Sequence, residues 1–270
     1  MSDVRPAAVA GMFYPGARAG LLDEVRVHLT QASARGGTGL PVPKAIIVPH
    51  AGYMYSGEIA AAAYVRVAPA RKIIRRVVMF GPTHRVAVRG LALPSTRAFA
   101  TPFGPVEVDR RAAALALSLP QVEVNDAAHA QEHSLEVQLP FLQAVLDEFR
   151  IVPFAVGAAD ADEVADVMER LWGGPETLIV VSSDLSHYHP YAEAARIDRH
   201  SADAILAAAR SLVHDEACGA TPINGLVACA RRHGLEAELL DLRNSGDTAG
   251  DRSRVVGYAS FAFVERDHDA

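Results

Sequence analysis

Cysteine is nearly absent. The 270 residues hold two, Cys218 and Cys229, which excludes a disulfide-stapled scaffold. So few thiols fit a reducing cytosol, where a cysteine serves as ligand, nucleophile or small buried apolar residue. Long apolar runs are missing too. Ile73–Ile74 and Val77–Phe80 are interrupted by arginines and fall far short of the roughly 18 residues that a membrane span needs. The opening MSDVRPAAVAGMFYPG has no apolar core of the kind a secretory leader carries. An excess of positive charge is also lacking. With 26 Lys and Arg against 32 Asp and Glu, the net charge is −6, which argues against a nucleic-acid partner. The expectation is a cytoplasmic protein with no membrane and no nucleic acid.

The chain is 50% hydrophobic and 21% charged, a globular composition with length enough to bury a core unaided. No linker divides it. Gln31–Pro43 comes nearest, but only 30 residues precede it. There are no repeats, so residues 1–270 are read as one domain with a core of about 4–264.

Apolar β-type runs alternate with helical patterns. Strands are expected at Lys44–Val48, Arg76–Phe80, Leu91–Leu93, Val106–Val108, Ile151–Val156, Thr177–Val181, Leu235–Leu242 and Val255–Val264. Helices are expected at Glu58–Val67, Arg110–Leu119, Ser134–Phe149, Asp162–Leu171, Tyr191–Arg210 and Pro222–Arg232. Such alternation predicts an α/β fold with a mostly parallel central sheet flanked by helices.

Histidine is what the chain has in number, 11 in all. Open parallel sheets bind ligands at the carboxyl ends of their strands. KAIIV runs into Pro49-His50-Ala51-Gly52, RVVMF into Gly81-Pro82-Thr83-His84, and TLIVV into Ser182-Ser183-Asp184-Leu185-Ser186-His187. If the three strands are parallel neighbours, His50, His84, Asp184 and His187 share a rim. A lone loop histidine is most often a hydrogen-bonded structural residue, but three at equivalent strand ends point to a common site. In Glu132-His133-Ser134-Leu135-Glu136, His133 and Glu136 stand at i,i+3. Either this is an ordinary acidic helix start, or His133 is an acid/base group oriented by Glu136. Cys218 precedes a helix start, where the dipole would stabilise a thiolate. Cys229 reads as a buried apolar residue. Two imidazoles and a thiolate suit iron, copper or zinc.

PHAGYMYSG, GPTH, EHSLEVQLPFL, SSDLSH, CGATPI and NSGD resemble, in order and spacing, the motifs of the Memo family, whose prokaryotic members are called AmmeMemoRadiSam system protein B. The resemblance runs from about Val4 to Val264. It implies a fold similar to class III extradiol dioxygenases, which are non-haem iron(II) enzymes. It implies His50, His84 and Cys218 as metal ligands, with His133, Asp184 and His187 lining the site as the catalytic set. Fe2+ is the implied metal, with copper or zinc as alternatives. His187 or His133 would act as acid/base, and Asp184 would orient His187 or bind a substrate cation. The eukaryotic relative is described as binding copper or iron and phosphotyrosine peptides. This chain departs from it at Arg85, where a second histidine stands there, and in its late NSGD loop, so phosphotyrosine signalling is not carried over. The family name implies association with radical-SAM and AMMECR-type proteins. Two other function classes stay open. One is a peptide- or small-anion-binding module using Arg85 and Arg89, and the other is a zinc-dependent hydrolase.

Overall fold

Runs of aliphatic residues without polar alternation make strands buried on both faces. In the computed structural model, which describes residues 3–36, 39–209 and 211–265, four such strands form the sheet centre. Ala45–Val48, Thr177–Ser182, Arg76–Pro82 and Arg150–Val156 lie side by side in that order, all parallel. Successive side chains point to opposite faces. Ile46, Val48, Val77, Met79, Leu178 and Val180 therefore pack on one side with helices Arg18–Ala34, Tyr53–Val67 and Leu139–Val145. Ala45, Ile47, Val78, Phe80, Ile179 and Val181 pack on the other with Ala161–Arg170, Tyr191–Ala207 and Ala220–Arg232. Each fully buried large aliphatic or aromatic side chain contributes roughly 1.5–3 kcal/mol, so both faces commit the sheet to this register.

The flanks turn antiparallel. Val255–Glu265 runs against Ala45–Val48 and also pairs with Leu235–Asn244 and the short His187–His189. On the far side, Leu91–Leu93 runs against Arg150–Val156 and carries Val122–Val124. The sheet is therefore mixed, parallel at its centre, antiparallel where each flank joins it, and parallel again between Leu91–Leu93 and Val122–Val124. Val106–Glu107 does not join it, but forms a separate three-stranded sheet with Val4–Arg5 and Ala98–Phe99. Among the described residues, no helix is long and apolar enough to cross a membrane.

Three local expectations are corrected. Helix Arg18–Ala34 was not expected. Its buried contacts are Leu21, Val25 and Ala32, too thin a stripe among charged residues to register as a period. The single helix expected over Ser134–Phe149 is instead a 3-10 turn, Glu136–Gln138, followed by helix Leu139–Val145. Pro140 fits the first turn of a helix and not its interior, so the regular helix starts there and leaves 132–138 free for polar contacts. The helix expected over Tyr191–Arg210 ends at Ala207, where Ala208 turns left-handed at φ 47°. Arg210, Gly37 and Thr38 of the Gln31–Pro43 stretch, and the chain ends 1–2 and 266–270 lie outside the described residues.

The N-terminal segment is fastened by a buried ion pair. Arg5, 4% exposed, meets Glu136, 0% exposed, at 2.5 Å. Glu136 also accepts the backbone N–H groups of Ala8 and Val9 and the Tyr14 hydroxyl. Arg5 donates further to the carbonyls of His129 and Glu132. Removing one member of a buried pair leaves the other charge uncompensated, at a cost of about 3–5 kcal/mol. Glu136→Gln should therefore lower unfolding stability by about that amount, measured by urea denaturation with an unchanged m-value.

Candidate metal centre

The three histidine-bearing turns leave adjacent parallel strands and meet at one sheet edge. His50 follows Ala45–Val48, Asp184 and His187 follow Thr177–Ser182, and His84 follows Arg76–Pro82. One ligand atom from each of His50, His84 and His133 falls within 4.8 Å of the other two. The rings crowd together. His84 stacks on His133 with centroids 4.6 Å apart, and His50 stands edge-on to them at 5.2 and 5.4 Å.

Glu132 makes this crowding possible. Its Oε2 accepts the His84 backbone N–H at 2.7 Å. Its Oε1 accepts His84 Nδ1–H and the backbone N–H groups of His133 and Ser134, each at 2.9 Å. His133 Nδ1 lies 3.3 Å from the same oxygen. Burial opposes the carboxylate charge, but the hydrogen bonds and charge of His84 and the Ser134 N–H outweigh it and hold the carboxyl at about 2. An ionised carboxylate only accepts. His84 therefore turns a hydrogen-bearing Nδ1 to Glu132 and its Nε2 away from it, the orientation a metal-binding histidine takes from a carboxylate partner. Glu136, expected to orient His133, instead binds Arg5 and the N-terminal segment.

His50 is 2% exposed. Its backbone N–H donates to Asp184 Oδ1 at 2.7 Å, its Nδ1 contacts Ser182 Oγ at 2.9 Å, and its Nε2 lies 3.3 Å from Cys218 Sγ. Burial, then His133 and His84, push its pKa well below the usual histidine range. Burial likewise takes His133 down to about 4. Both rings are thus neutral at pH 7, as metal ligation requires.

Asp184 does not orient His187. It holds the His50 turn, and burial lifts its carboxyl to about 7 against the N–H groups of His50 and Ala51. His187 stands further out, half-buried at the start of His187–His189, with its pKa lowered by burial. Tyr188 beside it is 63% exposed and left-handed at φ 63°, a conformation that costs a non-glycine residue energy.

Cys218 reaches the site because Gly219 follows it. A Cβ at Gly219 would lie 2.7 Å from Ser183 Cβ, and the Gly219 N–H donates to Ser183 Oγ at 2.8 Å. The expected thiolate is not favoured by this environment: burial, then the Asp184 charge, push the thiol up to about 12. Cys229 is a buried core residue, as its sequence setting suggests. Arg85 and Arg89 are exposed. From the N-terminal segment, Phe13 places its ring 4.8 Å from that of His133, and its carbonyl accepts the Tyr53 N–H at 2.7 Å.

The donor set fits a metal ion. A nitrogen at about 2.0–2.1 Å and a sulfur at about 2.3 Å in tetrahedral array stand about 3.5–3.6 Å apart, a few tenths more than the 3.3 Å between His50 Nε2 and Cys218 Sγ. The wider histidine spacing requires the rings to draw in slightly around an ion. Sequence reasoning missed Glu132 as the orienting group. Its signal was adjacency, a carboxylate directly before His133.

Comparison with known proteins agrees with the motifs. The family described as Memo-like protein matches residues 5–262. Relatives named MEMO1 family protein include one from Aquifex aeolicus, 36% identical over 97% of this chain and 99% of its own length. Another, from Aeropyrum pernix, is 37% identical over 94% and 98%. A solved structure, an uncharacterized protein JW3007 from Escherichia coli K12, shares the fold with a TM-score of 0.53 at 10% identity, covering 80% of this chain and 98% of that one. In motif, length and sequence, the chain belongs to the Memo family.

Proposed function

We propose that this protein is a cytoplasmic, metal-dependent oxidoreductase, with His50, His84 and Cys218 as ligands to iron(II), or to copper in its place. The observation that carries the reading is the contact of Cys218 Sγ with His50 Nε2 at 3.3 Å, beside the converging rings of His84 and His133. A thiolate among imidazoles makes a soft, electron-rich donor set that suits a redox metal. Such a metal supplies electron-transfer chemistry and an exchangeable position for substrate.

The chain's own groups do the rest. Glu132 fixes His84, and Asp184 fixes the turn that carries His50. His133 is neutral and half-buried against Phe13, where it can accept a proton from a bound substrate. His187, at the outer edge, is a second proton carrier. The substrate is a small molecule or a peptide segment, and a radical-SAM and an AMMECR-type protein are the proposed functional associates.

One observation favours a second reading. Among the described residues, the three donors that lie within 4.8 Å of one another are all imidazole, His50, His84 and His133, and three histidines with an open position are a zinc arrangement that activates water for hydrolysis. In that case Cys218 stands beside the metal and not on it.

Metal content separates these readings. Protein purified anaerobically should carry near-stoichiometric iron or copper by elemental analysis, and the double variant His50→Ala/His84→Ala should carry none. Zinc alone would support hydrolysis. Cys218→Ser should lose most metal affinity while His133→Ala keeps its stoichiometry, and the reverse pattern would give the third ligand position to His133. Glu132→Gln, which removes the charge that orients His84, should weaken binding about 10–100-fold in chelator competition.

A further inference from the structure

His84 points Nδ1–H at an acceptor that has no proton to give. His50 faces a hydroxyl, which can donate or accept, so its tautomer depends on where the Ser182 hydrogen goes. Ser182 Oγ has three polar contacts besides its own covalent neighbours. It lies 2.6 Å from the Ser134 carbonyl oxygen, 2.9 Å from Gln138 Nε2 and 2.9 Å from His50 Nδ1. A carbonyl only accepts, so the one hydroxyl hydrogen goes to Ser134. The Gln138 amide cannot take it either. Its Nε2 also donates to the Pro49 carbonyl at 2.9 Å, and its Oε1 accepts from the Tyr64 hydroxyl at 2.9 Å, which settles the orientation of the amide. Ser182 has therefore spent its hydrogen and can only accept from the ring. His50 must supply that hydrogen from Nδ1, and its Nε2 is left bare toward Cys218.

We infer that Ser182 is the positioning residue that keeps His50 in the Nδ1–H form, with the Ser134 carbonyl taking its hydrogen and Gln138 holding it in place. Ser182 and Ser134 are 0% exposed and Gln138 is 1% exposed, so no water competes for these bonds. Ser134 ties the two halves of the site together. Its N–H donates to the Glu132 carboxylate that sets His84, its carbonyl takes the hydrogen that sets His50, and its hydroxyl donates to the Pro82 carbonyl at 3.0 Å, at the end of the strand that carries His84. Gly81 makes the space, since a Cβ there would lie 2.6 Å from Ser134 Oγ. The tautomers are thus set by the protein before any ion arrives. The consequence for metal affinity rests on the reading that His50 is a ligand, whereas the tautomer itself does not.

The test is nitrogen NMR of the metal-free full chain labelled with 15N-histidine, with the His50 signals assigned by their loss in His50→Ala. In the wild type, His50 should show a protonated Nδ1 and a bare Nε2. In Ser182→Ala the Nδ1 partner is gone, and the signals should move to the Nε2–H form or to a mixture. Ser182→Thr, which keeps the hydroxyl, should restore the wild-type pattern. Iron(II) affinity by chelator competition should fall about 10–100-fold in Ser182→Ala and recover in Ser182→Thr. A wild-type His50 protonated on Nε2 overturns the inference, as does an unchanged tautomer in Ser182→Ala. Should the tautomers shift as described while no variant, nor the wild type, binds metal, the inference stands and the metal reading falls.

Discussion

A carboxylate cannot be buried among rings and backbone without hydrogen-bond donors for its oxygens, and the candidate centre is organised around that requirement. Glu132 is 3% exposed, and the donors it gathers are the ones that matter: the His84 ring, and the backbone of His84, His133 and Ser134. Satisfying one buried anion draws the GPTH turn and the EHS turn together and stacks two imidazoles that would otherwise have no reason to touch. Its charge also favours the protonated form of His133 and so opposes the fall in pKa that burial causes. Without it, the site would be three loops at a sheet edge.

The rest of the molecule holds those loops still. The parallel centre brings three strand ends side by side, with aliphatic packing on both faces. Gly81 and Gly219 permit backbone and side chains to approach more closely than any Cβ would allow. The N-terminal residues add a wall. The Arg5–Glu136 pair and the Glu136 contacts to Ala8, Val9 and Tyr14 bring Phe13 against His133, so a segment with almost no regular structure is fixed beside the rings.

Much of this was legible in the sequence. The central strands announce themselves as unbroken aliphatic runs, and their polar endings name His50, His84, Asp184 and His187. The setting of Cys218 before a helix start marks it as a ligand or nucleophile, and the family resemblance implies it as the third metal ligand. The misses share a cause. Glu132, Glu136 and Gln138 sit in a stretch that patterns like a helix, and periodicity says which residues share a face but not which carboxylate finds which donor across more than 120 positions of chain. Ser182 was visible as a strand ending, yet its role depends on the single direction of one hydrogen, which only the neighbouring carbonyl decides. Helix Arg18–Ala34 went unseen because burial there rests on few residues.

The contact between His50 and Cys218 joins positions 168 residues apart, and it closes late. A nascent chain exposes the PHAGY and GPTH turns long before the CGATPI segment has been made, and long-range closures of this kind form slowly because chain entropy must be spent before any contact forms in return. Early in synthesis, His50 and His84 can offer only an incomplete set of donors with no thiol beside it. On the proposed reading, loading of an ion would belong after translation, once helix Ala220–Arg232 has docked behind Cys218. On that reading a misloaded ion would enter in the same interval, and timing as well as affinity would govern which metal is held.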